Sequence, residues 1–191
     1  MRTKLLILTL LFVNGCDIFS TRDAEPPNQS RSNYQTPVTP DLLIQNLINS
    51  LTDKNIENYL SSFSDPNFTS KIFTFSASSS AISQFPSLVN NWGVRNEEQY
   101  FNNLISKVAS DQPITLNLSN VSSSPQGDSL FYTASYFINI APISSDIQSN
   151  YQGELRFNMI RDSRAIWTIY FWQDTKNSSL PSWSELKGRL Y

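Results

Sequence analysis

The sequence predicts an α+β domain: three N-terminal helices packed on a curved, four-stranded antiparallel meander, followed by a short C-terminal helical turn. Two observations carry this prediction. Apolar residues recur at helical spacing as far as Val108, and after Pro113 the period drops to two, in four runs separated by turn text. Helical segments followed by strand segments give the order of an α+β layer, not of alternating βαβ units.

The chain opens with Arg2 and Lys4, an apolar run over residues 5–13 and the small Gly15, which is the three-part pattern of a signal peptide over residues 1–15. A permanent membrane span needs about 20 apolar residues, more than this run provides. It ends in Val13-Asn14-Gly15-Cys16, which resembles the lipobox of bacterial lipoproteins: aliphatic, variable, small, then cysteine. That resemblance implies lipidation of Cys16 and a lipid-anchored place in the bacterial cell envelope, facing the periplasm or the exterior. Each buried CH₂ contributes about 0.8 kcal/mol, so two or three acyl chains hold where one would not. The alternative is an ordinary signal peptide with an incidental cysteine. As Cys16 is the chain's single cysteine, an internal disulfide is excluded either way.

Residues 16–38 contain Pro26, Pro27 and Pro37, few apolar residues and no periodicity, so they read as a flexible tether to a single domain over 39–191. The domain opens with Thr39 as N-cap, Pro40 at the first helical position and Asp41 at the positive end of the helix dipole. Leu43, Leu47 and Leu51, flanked by Ile44 and Ile48, form its apolar stripe. A second, shorter helix capped by Asp53 carries Ile56, Tyr59, Leu60 and Phe63, and ends at Asp65-Pro66 because proline disfavours helix in the residue before it. Serine-rich text over 67–90 reads as a short strand and loop. Asn96 then caps a third helix with Tyr100, Phe101, Leu104, Ile105 and Val108 on one face.

In the meander, "ITLNLSNV" alternates, "SLFYTASYFINI" and "AIWTIYFWQD" are apolar on both faces, and "YQGELRFNMI" alternates fully. The end, "PSWSELKGRLY", has a capping box from Ser182 to Glu185, with Trp183 and Leu186 three apart and Gly188 as a stop, which predicts one helical turn.

The chain has 14 basic and 16 acidic residues; without Arg2 and Lys4, 12 basic residues face the 16 acids, a charge of −4. No basic stripe is visible, so nucleic acid is not an expected partner. The absence of histidine removes the commonest general base and the commonest transition-metal ligand together. Five glycines form no phosphate-binding run, and no acid-rich loop suits calcium, so neither metal nor cofactor is expected.

The paired helices "LLIQNLINSLTDKNIENYLSSFSD", the aromatic helix "EEQYFNNLISKV" and the strands ending in "AIWTIYFWQD" together resemble the nuclear transport factor two-like superfamily, the cystatin-like or SnoaL-like cone. The whole chain, lipobox included, also resembles an uncharacterised group of bacterial lipoproteins with this cone, which brings no activity with it. Enzymes of the superfamily, isomerases and dehydratases among them, place a carboxylate, tyrosine or histidine inside the cone. By residue type Tyr132, Tyr136, Tyr151, Glu154 and Asp174 are the candidates, but strand tyrosines commonly pack their rings with the hydroxyl at a polar edge. Glu154 falls on a polar strand face, and Asp174 sits where a strand ends. Catalysis is therefore not the favoured reading. The surplus is aromatic: Trp92, Tyr132, Tyr136, Tyr151, Phe157 and Trp167 could line a cleft for a small apolar ligand or fill the core. The expectation is a non-catalytic ligand-binding or protein-interaction module, with an envelope protein or a second copy docking through the sheet. The alternative is a small-molecule enzyme of the isomerase, dehydratase or hydrolase type.

Overall fold

The computed structural model describes residues 33–89 and 91–191. Cys16, its leader and most of the expected tether lie outside the described residues. Residues 33–38, assigned to that tether by composition, run along the domain: Pro37 is buried, its carbonyl accepts from Trp167 N, and Asn46 exchanges hydrogen bonds with the Gln35 backbone.

Helix α1 (Pro40–Thr52) starts as expected, with Thr39 Oγ1 accepting from Leu42 N, and buries Leu43, Leu47 and Leu51. Helix α2 (Ile56–Leu60) is capped by Asn55, whose side chain accepts from Asn58 N at 2.9 Å; Asp53 instead closes α1. The serine-rich stretch holds more structure than the expected strand and loop. It contains β1 (Thr74–Ser76), α3 (Ser79–Gln84) and a 3₁₀ turn at Pro86–Val89. Helix α4 (Val94–Lys107) begins two residues before the expected cap. Asn96 sits inside its first turn and accepts from Gly93 N, while Tyr100, Phe101 and Leu104 are buried.

The strands are β2 (Thr115–Gln126), β3 (Ser129–Asn139), β4 (Asn150–Arg161) and β5 (Trp167–Thr175). They form the expected antiparallel meander, but β1 adds a fifth strand, parallel to β5, giving the order β1-β5-β4-β3-β2. Period two decides what faces in: Tyr132, Phe157 and Trp172 form one inward row across β3, β4 and β5, and Phe131, Asn158 and Phe171 the next row, facing out. A bulge between Ser119 and Ser122, with Asn120 at φ 51, shifts the register of β2 and turns its exposed end away from the core.

Helix α5 (Trp183–Leu190) runs two turns where one was expected. Gly188 does not stop it, because a Cβ there would lie 2.5 Å from the Phe85 ring; the glycine exists to let the helix approach that ring. Trp183, Leu186, Lys187 and Leu190 are all buried, and the helix packs against α3, α4 and β4. The inner face of the sheet is thus covered by the N-terminal helices and by the last helix of the chain.

Candidate functional site

The interior polar groups gather at the two ends of α5. The capping box at its start forms as read from the sequence: Glu185 N donates to Ser182 Oγ, and Ser182 N donates back to the Glu185 carboxylate. Lys176 Nζ, 2.9 Å from Glu185 Oε1, and Gln84 Nε2, at 3.0 Å, hold the same carboxylate. Burial alone would raise Glu185, but these donors keep it below the usual carboxylate range.

Asp174, on the inward face of β5, is 2% exposed. Its Oδ1 accepts from Tyr136 Oη at 2.6 Å, and its Oδ2 accepts from both Ser184 N, at 2.8 Å, and Ser184 Oγ. Tyr136 Oη in turn accepts from Trp183 N at 2.6 Å. Tyr136 reaches this position because its cross-strand partner is Gly153; a Cβ there would lie 2.6 Å from the hydroxyl. Burial raises both Asp174 and Tyr136, and the donors around Asp174 offset only part of its shift. Asp174 also lines an open groove of about 460 Å³, with Ser78, Gln173 and Lys176 and the apolar Ala77 and Ile82.

At the other end Lys187 Nζ pairs with Glu97 Oε1, both residues 0% exposed. Glu97 Oε2 accepts from Tyr59 Oη at 2.7 Å, and Oε1 from Trp92 Nε1 at 2.6 Å. The ammonium sits 3.7 Å from the Trp172 ring centroid and 4.1 Å from that of Phe75. Burial lowers Lys187 to about 8, against the opposing pull of Glu97.

The structure brings three of the six aromatic candidates to these clusters. Trp92 bonds Glu97, Tyr136 bonds Asp174, and Phe157 meets Trp172 edge-on at 5.3 Å. Tyr132 is buried beside Phe157, and Tyr151 is buried, which pushes its hydroxyl up to about 12. Trp167 is half-buried at the start of β5, apart from both clusters. Glu154 is exposed, on the outer face of the sheet.

Sequence reasoning missed Glu97 and Lys187, and read Tyr59 and Tyr100 only as packing residues, whereas the Tyr100 hydroxyl accepts from Trp183 Nε1 at 2.9 Å. A signal was present. Glu97 stands three and four residues before Tyr100 and Phe101, on the apolar stripe of α4, and Lys187 stands four residues after Trp183. Among the described residues no group of three or more His, Cys, Asp or Glu side chains is placed to hold a metal ion.

No family model matches the sequence, and no curated protein matches it. Solved structures do match. A provisionally assigned scytalone dehydratase from Novosphingobium aromaticivorans aligns with TM-score 0.57 and 7% identity, over 72% of this chain and 81% of that one. A provisionally assigned aromatic ring hydroxylase from the same organism gives 0.56 and 13%, over 76% and 91%. A provisionally assigned dehydratase of the NTF2-like family from Streptomyces avermitilis gives 0.55 and 11%, over 73% and 94%. At such identities the likeness is one of fold, and the fold of this chain is the NTF2-like α+β cone.

Proposed function

We propose that this protein is a lipid-anchored, non-catalytic binding or interaction module of the bacterial cell envelope, held to a membrane through Cys16. The observation that carries the non-catalytic part is the occupancy of the cone. Trp183, Leu186, Lys187 and Leu190 fill its interior, and Glu97 and Asp174 spend their oxygens on the protein's own donors. A substrate needs both that volume and those lone pairs. The lipobox supports the anchor. The outer face of the sheet, which carries Phe137, 37% exposed, and half-buried Phe131 at opposite ends of one strand, suits a second copy or an envelope protein. Metabolic labelling with a fatty acid tests the anchor: label is expected on the wild type and not on Cys16→Ser, and equal labelling removes it.

A second reading, a small-molecule enzyme, is favoured by one feature, an open groove lined by Asp174, whose carboxylate is bonded to Tyr136. It also agrees with the dehydratase and hydroxylase assignments of the fold neighbours. Turnover of a hydroxylated or ketonic substrate by the purified protein, abolished in both Asp174→Asn and Tyr136→Phe, would replace the module with this reading. On the proposed module, no such turnover is found.

A further inference from the structure

We propose that the interior of the cone is a binding site for a primary alkylammonium, filled in this chain by its own Lys187. Trp172, Phe75, Tyr100 and Trp92 place their ring centroids 3.7, 4.1, 5.2 and 5.5 Å from Nζ, and Glu97 supplies the counter-charge. These groups come from β5, β1, α4 and the segment just before α4; α5 contributes only the cation. Aromatic faces around a desolvated ammonium, closed by a carboxylate, are the arrangement by which proteins recognise organic ammonium ions.

The cage does not depend on Lys187 for its shape. Tyr59 Oη and Trp92 Nε1 fix both oxygens of Glu97, and Phe75 and Trp172 meet edge-on at 5.2 Å. A position selected for stability alone has no use for a charge, since a buried ion pair rarely outperforms well-packed apolar side chains of the same volume. Four rings and a pre-positioned carboxylate turned to one ammonium are instead a built receptor, with the ligand covalently attached. Trp183, Leu186 and Leu190 seat α5 on either side of the lysine, so a free ligand has no entry to the wild type. Truncating the side chain at Cβ removes three carbons and the ammonium, and frees a space with the shape and charge preference of n-propylammonium. The inference takes the filled cone of the proposed module as its premise, but its test reads binding, so turnover at Asp174 would leave it untouched.

The test is thermal unfolding of the full chain carrying Lys187→Ala, titrated with n-propylammonium chloride. The expected result is a saturable recovery of at least half of the lost Tm, with the wild type unmoved. Sodium chloride at equal ionic strength and n-propanol, which has the same length without the charge, are expected to recover nothing. In the double variant Glu97→Gln/Lys187→Ala the apparent affinity for propylammonium is expected to fall about tenfold or more, since a charged partner is gone. If Lys187→Ala does not fold unaided, refolding from urea with and without propylammonium gives the readout, and folding only in its presence is the supporting result. Absence of recovery in both measurements, equal recovery by propanol, or indifference to Glu97→Gln overturns the proposal.

Discussion

Two carboxylates lie at nearly the same depth in this cone and are handled in opposite ways. Glu97 meets a full positive charge in a dry, aromatic setting, whereas Asp174 meets only neutral donors and borders a groove. Where the counter-charge is present, the strain of burial appears on the cation, and Lys187 is drawn down to about 8. Where it is absent, the carboxyl carries the strain itself, and burial raises Asp174 despite three donated hydrogen bonds. Both clusters hold the same helix: Asp174 takes the first backbone N–H groups of α5, partly through Tyr136, and Glu97 takes a side chain from its last turn. One contact is the ordinary treatment of a helix N-terminus by an acid. The other is an ion pair sealed from water, so the two ends of α5 should respond very differently to substitution.

The largest effect is expected at the sealed end. Lys187→Met keeps most of the volume but leaves Glu97 buried without a counter-charge, which costs about 3–5 kcal/mol; urea unfolding at pH 7 measures it. A cost near that of an exposed substitution would erase the distinction between the two ends. Asp174→Asn is expected to cost less, about 1–3 kcal/mol, because neutral donors are left partly unmatched rather than a charge unpaired. Its sign with pH sharpens the comparison. Asp174 keeps its proton in the folded state at pH values where the unfolded chain has lost it, so this group stabilises the fold as pH falls from neutral toward 3.8. Asparagine has no such gain, and the stability gap between wild type and variant should widen on acidification. A gap that narrows would mean that Asp174 is ionised and its donors dominate.

The legibility of the sequence divides along the same line. The period change after Pro113, the leucine stripe of α1 and the alternation of β4 are local patterns, and each formed as read. So did the capping box of α5, which needs only residues three apart. What was not legible is held by distant partners. β1 forms where a short strand is expected, but its parallel pairing with β5, almost a hundred residues later, has no local sign. Helix α3 is serine-rich, a poor composition for a helix, but it buries Ala81 and packs on α5. Gly188 reads as a helix stop because its reason, the Phe85 ring, is likewise far away in sequence. Asp174 could be named as a candidate by residue type, although its place at a strand end reads as ordinary. Glu97 could not, since an acid in a first helical turn is normally exposed, and only its register with Tyr100 and Phe101 marks it otherwise.

A graded pair of smaller substitutions isolates the start of α5 from the charge in its last turn. Ser182→Ala removes the N-cap acceptor while leaving Asp174 in place, and about 1 kcal/mol is expected to be lost. Lys176→Ala removes the third fastening, a partly exposed ammonium 2.9 Å from Glu185 whose partner is already held by Ser182 N and Gln84 Nε2. Exposed pairs of this kind contribute about 0–1 kcal/mol and weaken with added salt. Lys176→Ala should therefore be the mildest of the four, and its cost should shrink between low and high ionic strength, whereas the cost of Lys187→Met should stay constant because no counter-ion reaches Glu97. Parallel unfolding curves at two salt concentrations measure both at once. If the cost of Lys187→Met also falls with salt, water and ions reach the aromatic cage, and the contrast between a sealed and an open end of α5 is lost.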